Sequence, residues 1–435
     1  MSDNIENSPA GQPQDRRVSA ADLRSDFPVH RNPSAPRHTG LVPILVATNS
    51  LGLAATSIYS PSLPAIAHAL AVPVAAAQQT ITAYLAAYGA GMVLIGPLSD
   101  RLGRRYLLAS GLAIFAAASA LAAFSPSIGV LLLARVLQAI GACAGMALGR
   151  AIARDVFGHE GTARAMAAIS VAVGVTPILA PLVGGYLQVW WGWRANFGLL
   201  ALIAVPICVA AWGVPETNRR TQQDKALVHA LVAGLARLAS ERRFVGYTLV
   251  IAGSTSMFYA FLTAAPFLLI SRFGITADAF GRYVVLGVCG ATVASFVSSR
   301  TVGRLGVDRL IRTGVGLLFA AAILLAGLSS VPRPLAVIGP LCLVAIGMGL
   351  CLPNANAGGL GVRPELAGTA AGLSGFIQMI GCGAATFAMS SVNIRVALPL
   401  AWCWLAAATL AGIGVLLSRA PGSAAAGDTQ LSAAG

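Results

Sequence analysis

Arg135 and Gln138 stand three residues apart inside the apolar stretch 130–152. On a helix that spacing puts a permanent cation beside an amide that can both donate and accept. An arginine within such a stretch is costly, so it is a functional candidate by default. Tyr59, Tyr84 and Tyr88 also fall in apolar stretches. Their hydroxyls can hydrogen-bond a solute, but an ordinary tyrosine pKa near 10 suits them poorly to carrying protons. Every Asp and Glu falls in a tail, a loop or a helix end. The chemistry on offer is therefore recognition of neutral or anionic amphiphiles by an arginine, an amide and hydroxyls, without a central carboxylate. A second concentration of charge is the turn Gly96 Pro97 Leu98 Ser99 Asp100 Arg101 Leu102 Gly103 Arg104 Arg105. It places an acid, three arginines and two glycines between apolar segments.

The elements that carry these residues follow from composition. With 57% hydrophobic and 10% charged residues in 435, the chain has too little polar surface for a soluble body. Mean hydropathy is +0.77. Apolar runs of bilayer length number about twelve, near 41–65, 78–98, 107–124, 130–152, 166–188, 196–214, 245–270, 281–299, 314–330, 335–356, 368–391 and 396–418. Residues 215–244 are the long polar interruption, and they divide the spans into six and six. The expected organisation is a disordered cytoplasmic tail at 1–40, a six-helix bundle at 41–214, a cytoplasmic linker at 215–244, a second six-helix bundle at 245–418 and a cytoplasmic tail at 419–435. Arginines concentrate in the N-terminal tail, the 96–105 turn, the segment after span four, the linker and the turn after span eight. The opposite face receives Arg194, Arg272, Arg282, Arg333 and Arg395. Positive loops face the cytoplasm, so both termini are expected there, in a bacterial inner membrane. The net charge of +14 is then a topology signal, and with no basic domain nucleic-acid binding is excluded.

The second half echoes the charged turn as Gly303 Arg304 Leu305 Gly306 Val307 Asp308 Arg309, again between its second and third spans. Such internal repetition marks transporters that rock one bundle against the other around a midplane site. On span five, 100° per residue places Gly174, Pro177, Pro181, Gly184 and Gly185 within about a third of the circumference. Proline bends that helix, and glycine permits close approach. Gly141, Gly145 and Gly149 repeat the device on span four. Gly96 and Gly103 serve close approach and a tight turn. The seven cysteines lie in apolar stretches without CxxC pairing, which suggests small core residues and neither disulfides nor a metal site.

Gly96, Leu98, Asp100, Gly103, Arg104 and Arg105 resemble the loop signature of the major facilitator superfamily. Arg135, Gln138 and Gly141, followed by Arg150 Ala151 Ile152 and Arg154 Asp155, resemble the Bcr/CflA group of drug:proton antiporters. Gly174, Pro177, Ala180, Pro181, Gly184 and Gly185 are similar to the antiporter motif of drug exporters. Trp193 Arg194, Pro215 Glu216 Thr217, Pro266 Phe267 and Gly368 Thr369 Ala370 extend the likeness over most of the membrane portion. The resemblance implies an all-α integral membrane fold, twelve transmembrane helices in two pseudo-symmetric bundles, and efflux of small amphiphiles by alternating access with protons as partners. It also implies a gating network in which Asp100, with Arg101, Arg104, Arg105, Arg154 and Asp155, reaches the start of span eleven near Ala367–Thr369. Arg135 would take part in proton or substrate coupling.

One departure matters. The group carries an aspartate in span one ahead of a Tyr and a Pro-rich end, whereas this chain reads Thr56 Ser57 Ile58 Tyr59 Ser60 Pro61. Ser57 holds the acid's place, so neutral or anionic cargo is expected over lipophilic cations. Cavity contributors in the second half are expected at Phe258, Asn354 and Gln378, from polarity or aromaticity on apolar faces. No cofactor is expected, and a functional monomer in the lipid bilayer suffices. An ATP-driven pump is excluded because the only lysine, Lys225, lies outside any glycine loop; a metalloprotease fails because His159 Glu160 is followed by Ala163. A dedicated metabolite exporter or importer on the same scaffold is the alternative reading.

Overall fold

A computed structural model describes residues 40–217, 225–392 and 396–419; at 96, 97, 100, 150, 158–160, 163 and 225–232 it describes the backbone only. The expectations for the 1–40 and 419–435 tails lie outside the described residues, apart from Gly40 and Arg419. The described residues belong to one compact unit, Gly40–Gly435, whose regular structure is all helical.

The first half comprises α1 (Leu41–Ala69), α2 (Val74–Leu102), α3 (Arg104–Ala123), α4 (Ile128–Phe157), α5 (Arg164–Trp191) and α6 (Trp193–Ala211). A linker helix α7 (Lys225–Ser240) follows. The second half comprises α8 (Arg242–Arg272), α9 (Ala277–Leu305), α10 (Val307–Leu328), α11 (Leu335–Gly361), α12 (Pro364–Ser390) and α13 (Leu398–Ser418). Eleven of these have both the length and the apolarity to cross a bilayer. The twelfth, α2, has 29 residues. At about 1.5 Å per residue it is also long enough to cross, and it carries Gln78, Gln79, Thr80, Thr82, Tyr84 and Tyr88.

Three local features depart from the simple pattern of spans. First, α1 is not one rod: it stops at Ser57, passes through a 3₁₀ turn at Ser60–Ser62 and resumes at Leu63. Pro61 and Pro64 withdraw backbone donors there. Second, α4 and α5 share an unbroken helical run, Ile128–Trp191. Yet Thr162 Oγ1 donates to the Ala153 carbonyl at 3.1 Å. In a straight helix those residues would be about 13 Å apart, so the chain doubles back between them. Third, the polar linker contains a helix. Leu238 on α7 is buried with Phe244 and Ala370, which ties the linker to α8 and α12.

Between the halves, α2 packs on α12 and α5 on α9. The hydrogen bonds that join them gather toward the end holding the α1–α2 and α8–α9 connections. Ser60 Oγ donates to the Leu262 carbonyl at 2.7 Å, Gln78 Nε2 to the Thr263 carbonyl at 3.0 Å, and Thr82 and Thr386 share a bond of 2.9 Å. That end is closed. Exposed Trp190 and Trp191 mark it too, as aromatic residues do at a membrane interface.

Glycines set the closest approaches. A Cβ at Gly141 would strike the α3 backbone, and one at Gly185 the backbone at Ala277. Gly174 behaves differently, since a Cβ there would meet nothing within 4 Å. Among the cysteines, Cys143, Cys351 and Cys382 are buried, but Cys289 is exposed rather than a core residue.

Candidate functional site

The break in α1 explains how Tyr59 comes to face Arg135. With the helix interrupted, Tyr59 leaves the α1 spiral, and the carbonyl of Ile58 lies where a Cβ on Gly184 would have to be. A glycine of α5 thus makes room for the turn that presents the tyrosine. On α2, Thr80, Tyr84 and Tyr88 follow at intervals of four and share one face. Arg135 and Gln138 arrive from α4, Ser119 from α3 and Phe197 from α6.

Arg135 is fully buried, and it does not reach for the membrane surface. Its guanidinium carbon lies 4.4 Å from the centre of the Tyr59 ring and 4.1 Å from that of Tyr84, with Phe197 at 5.9 Å. Nη1 donates to Gln138 Oε1. Gln138 Nε2 donates to Ser119 Oγ at 2.7 Å, and Ser119 Oγ to the Phe115 carbonyl at 2.6 Å. This relay ends on a backbone acceptor, which fixes the amide with its oxygen toward the arginine.

The Tyr59 hydroxyl lies beside the Arg135 guanidinium as well as Thr80, whereas that of Tyr84 turns to the backbone. Thr80 Oγ1 gives its proton to the Ala77 carbonyl at 2.6 Å, so in the 3.0 Å contact the Tyr59 hydroxyl is the donor. Tyr84 donates to the Gly52 carbonyl at 2.8 Å. Tyr88 stacks behind Tyr84, with ring centres 5.8 Å apart. Arg135 Nε and Nη2 are buried and have no hydrogen-bond partner. No carboxylate pairs with this arginine among the described residues. Ring faces return about 2 kcal/mol each to a desolvated cation, against a burial cost of several kcal/mol per ion. Two N–H groups held this way can receive an acceptor atom of a solute.

The other expected residues sit around this centre or apart from it. Ser57 is buried and donates weakly to the Leu53 carbonyl at 3.3 Å. Its neighbour Thr56 shares a 3.4 Å contact with the Tyr259 hydroxyl across the halves. Phe258 packs edge-on to Tyr259, with ring centres 5.9 Å apart. Asn354 is committed inside the second half, donating to Ser298 Oγ at 2.6 Å and to the Leu350 carbonyl. Gln378 is half-buried on α12. Sequence reasoning missed Ser119, Thr80, Phe197 and Tyr259. Phe197 had a signal in its four-residue spacing from Trp193, whereas a lone serine or threonine gives none.

The charged turn forms a second cluster at the opposite end of the molecule from the closed one. Gly103 has φ of +89°, a left-handed conformation that favours glycine. There α2 ends and α3 begins. Glu216 accepts from the backbone N–H of Arg104 at 2.9 Å and of Arg105 at 3.1 Å, so its carboxylate caps the start of α3. Arg104 pairs with Asp155 on α4, and Arg105 lies over the rings of Tyr106 and Trp212. Arg101 and Arg154 are exposed. Gly96 and Asp100 are described by their backbone only. The start of α12, where the resemblance places the partner of Asp100, packs near Gly234 of α7, which faces Leu366 and Thr369. Arg363, just before α12, binds Glu241 Oε1 at 2.6 Å, and that hydrogen bond raises the arginine's pKa above its ordinary value.

Comparison with known proteins then bears on what this arrangement is. The Major Facilitator Superfamily profile matches residues 45–386. The chain is 33% identical to a chloramphenicol resistance protein of Pseudomonas aeruginosa over 325 residues, 74% of this chain and 75% of that one. It is 29% identical to multidrug resistance protein D of Escherichia coli strain K12, over 80% of this chain and 87% of that one. Among solved structures, a D-xylose–proton symporter superposes with a TM-score of 0.67 at 12% identity, over 86% of this chain and 97% of that one. A bacterial homologue of the human lysosomal transporter Spinster gives 0.66 at 16% identity, over 89% and 98%. At these identities the structural likeness concerns the fold.

Proposed function

The chain belongs to the Major Facilitator Superfamily of transporters, and on that premise we propose that it exports small amphiphilic compounds, neutral or anionic, by proton-coupled alternating access. The observation that carries the cargo class is Arg135: a buried cation with two N–H groups that meet no hydrogen-bond acceptor, flanked by aromatic faces and, among the described residues, facing no carboxylate. A lipophilic cation would be repelled there, while a carbonyl, nitro or carboxylate oxygen would supply the missing acceptor. Gln138, Tyr59, Tyr84 and Tyr88 shape the pocket from the first half, with Ser57 beside them. Phe258 and Gln378 contribute from the second, while Asn354 is held by bonds to Ser298 and the Leu350 carbonyl within that half. The relatives named for chloramphenicol and multidrug resistance support the export direction.

In this reading the bundles at 41–214 and 245–418 rock about the linker at 215–244. Asp100 with Arg101, Gly103, Arg104, Arg105, Arg154 and Asp155 gates the cytoplasmic end. Gly174, Pro177, Pro181, Gly184 and Gly185 shape the α5 face that must part and reclose, and Gly96 belongs with the gating turn at the end of α2. The protein works as a monomer in the bacterial inner membrane with both termini in the cytoplasm. Its proton is carried by Asp100, by Asp155, by another peripheral group or by the cargo itself, because Ser57 replaces the usual acid.

The test is accumulation of labelled chloramphenicol in efflux-deficient bacteria expressing the chain, with and without a protonophore. Lowered accumulation that the protonophore restores is the expected result. Unchanged accumulation, together with a growth or secretion phenotype, would replace drug export with a dedicated metabolite carrier.

A further inference from the structure

The two halves repeat the same turn, but they complete it differently. In the first half α3 starts just after Gly103, and a carboxylate of the chain itself, that of Glu216, meets its first N–H groups. In the second half α10 starts just after Gly306, whose φ of +78° matches that of Gly103. There a cavity of about 500 Å³ opens instead. Arg243 reaches it from α8, and Arg309 and Arg312 from α10, with Tyr247 and Asp308 also in the lining.

Among the described residues none of the three guanidiniums forms an ion pair. Arg312 Nε donates to the Asp308 carbonyl at 3.2 Å, which leaves its terminal nitrogens available. Asp308 is the one carboxylate in the lining, and the Tyr247 hydroxyl lies 3.5 Å from its Oδ1. Three cations against one anion leave the cavity with a net charge of +2, added to the positive end of the α10 dipole. Arginine forks suit the planar spread of phosphate oxygens, and basic pockets between helices at the membrane face hold lipid head groups.

We propose that this cavity binds a phosphate-bearing anion, which completes the second-half turn from outside as Glu216 completes the first from within. The anion comes either from an anionic phospholipid head group or from free phosphate. The purified full-length protein in detergent distinguishes these sources. Native mass spectrometry follows binding of phosphatidylglycerol against phosphatidylcholine, and thermal unfolding follows the response to inorganic phosphate against chloride.

A lipid site shows phosphatidylglycerol retained about tenfold better than phosphatidylcholine, and R243Q/R309Q/R312Q abolishes that preference. A phosphate site shows no lipid preference but a phosphate-dependent rise in Tm that the same variant loses. Should the triple variant fail to fold, R309Q alone must weaken binding, and D308N, which removes the opposing charge, must strengthen it. Either response persisting unchanged in R309Q and D308N overturns the proposal, as does a wild-type protein that shows neither response.

Discussion

Two arginines of the first half illustrate opposite solutions to the same charge. Arg104 stands at the membrane face, partly exposed, paired with Asp155 and with its backbone N–H capped by Glu216. Arg135 is wholly buried and is held by two tyrosine rings and one amide, with two donors unmet. A carboxylate partner quenches a cation and makes a latch. Rings support a cation without cancelling its charge, and so keep it ready for a solute. On the proposed function, the contrast separates a part of the molecule that holds shape from a part that recognises cargo.

The largest effect should come from removing the buried charge. Arg135→Ala is expected to lower transport about tenfold to a hundredfold, the range for a hydrogen bond to a charged group, with expression and Tm near normal. Arg135→Lys should recover only part, because an ammonium lacks the planar fork that stacks between rings. Efflux rate and thermal unfolding measured on the same preparations check this. Next in size is Ser57→Asp, which puts a carboxylate in the helix before Tyr59. If the missing acid sets cargo charge, the ratio of cationic-dye export to chloramphenicol export should rise about tenfold.

Most of the fold was legible in the residues. Spans, halves and the repeated turn followed from apolar length and from the glycine and arginine pattern, since a bilayer admits few alternatives. The Arg135–Gln138 pair was legible for the same reason: a polar group is conspicuous in an apolar helix. What surrounds that pair was not. The rings of Tyr59 and Phe197 meet Arg135 only because α1 breaks at Pro61 and because Gly184 yields to the Ile58 carbonyl, and tertiary packing of that kind has no local signature. The linker helix was hidden by its polar flanks, and the break between spans four and five was legible although not the continuous helical run through it. Glu216 was visible as part of Pro215 Glu216 Thr217, but its reach to the α3 N-terminus spans more than a hundred residues.

Two smaller effects test the supporting structure. Gly184→Leu forces a side chain into the Ile58 carbonyl and should destabilise the protein by about 1–3 kcal/mol, the usual cost of overpacking. Its loss of transport should exceed its loss of Tm in proportion, because the displaced turn carries Tyr59. Glu216→Ala should cost least, about 0.5 kcal/mol for an exposed charged cap, read as a small fall in Tm. Its cargo preference should be that of the parent, in contrast to Ser57→Asp. A change in preference would mean that the face cluster and the buried arginine are not separate devices.

The most direct measurement is uptake into proteoliposomes holding the purified protein, with neutral, anionic and quaternary cationic solutes of matched size, for the parent and Arg135→Ala. A buried unpaired cation predicts that the neutral and anionic solutes move and the cation does not, and that Arg135→Ala loses the first two. Faster movement of the cation by the parent, or equal rates in Arg135→Ala, would contradict it.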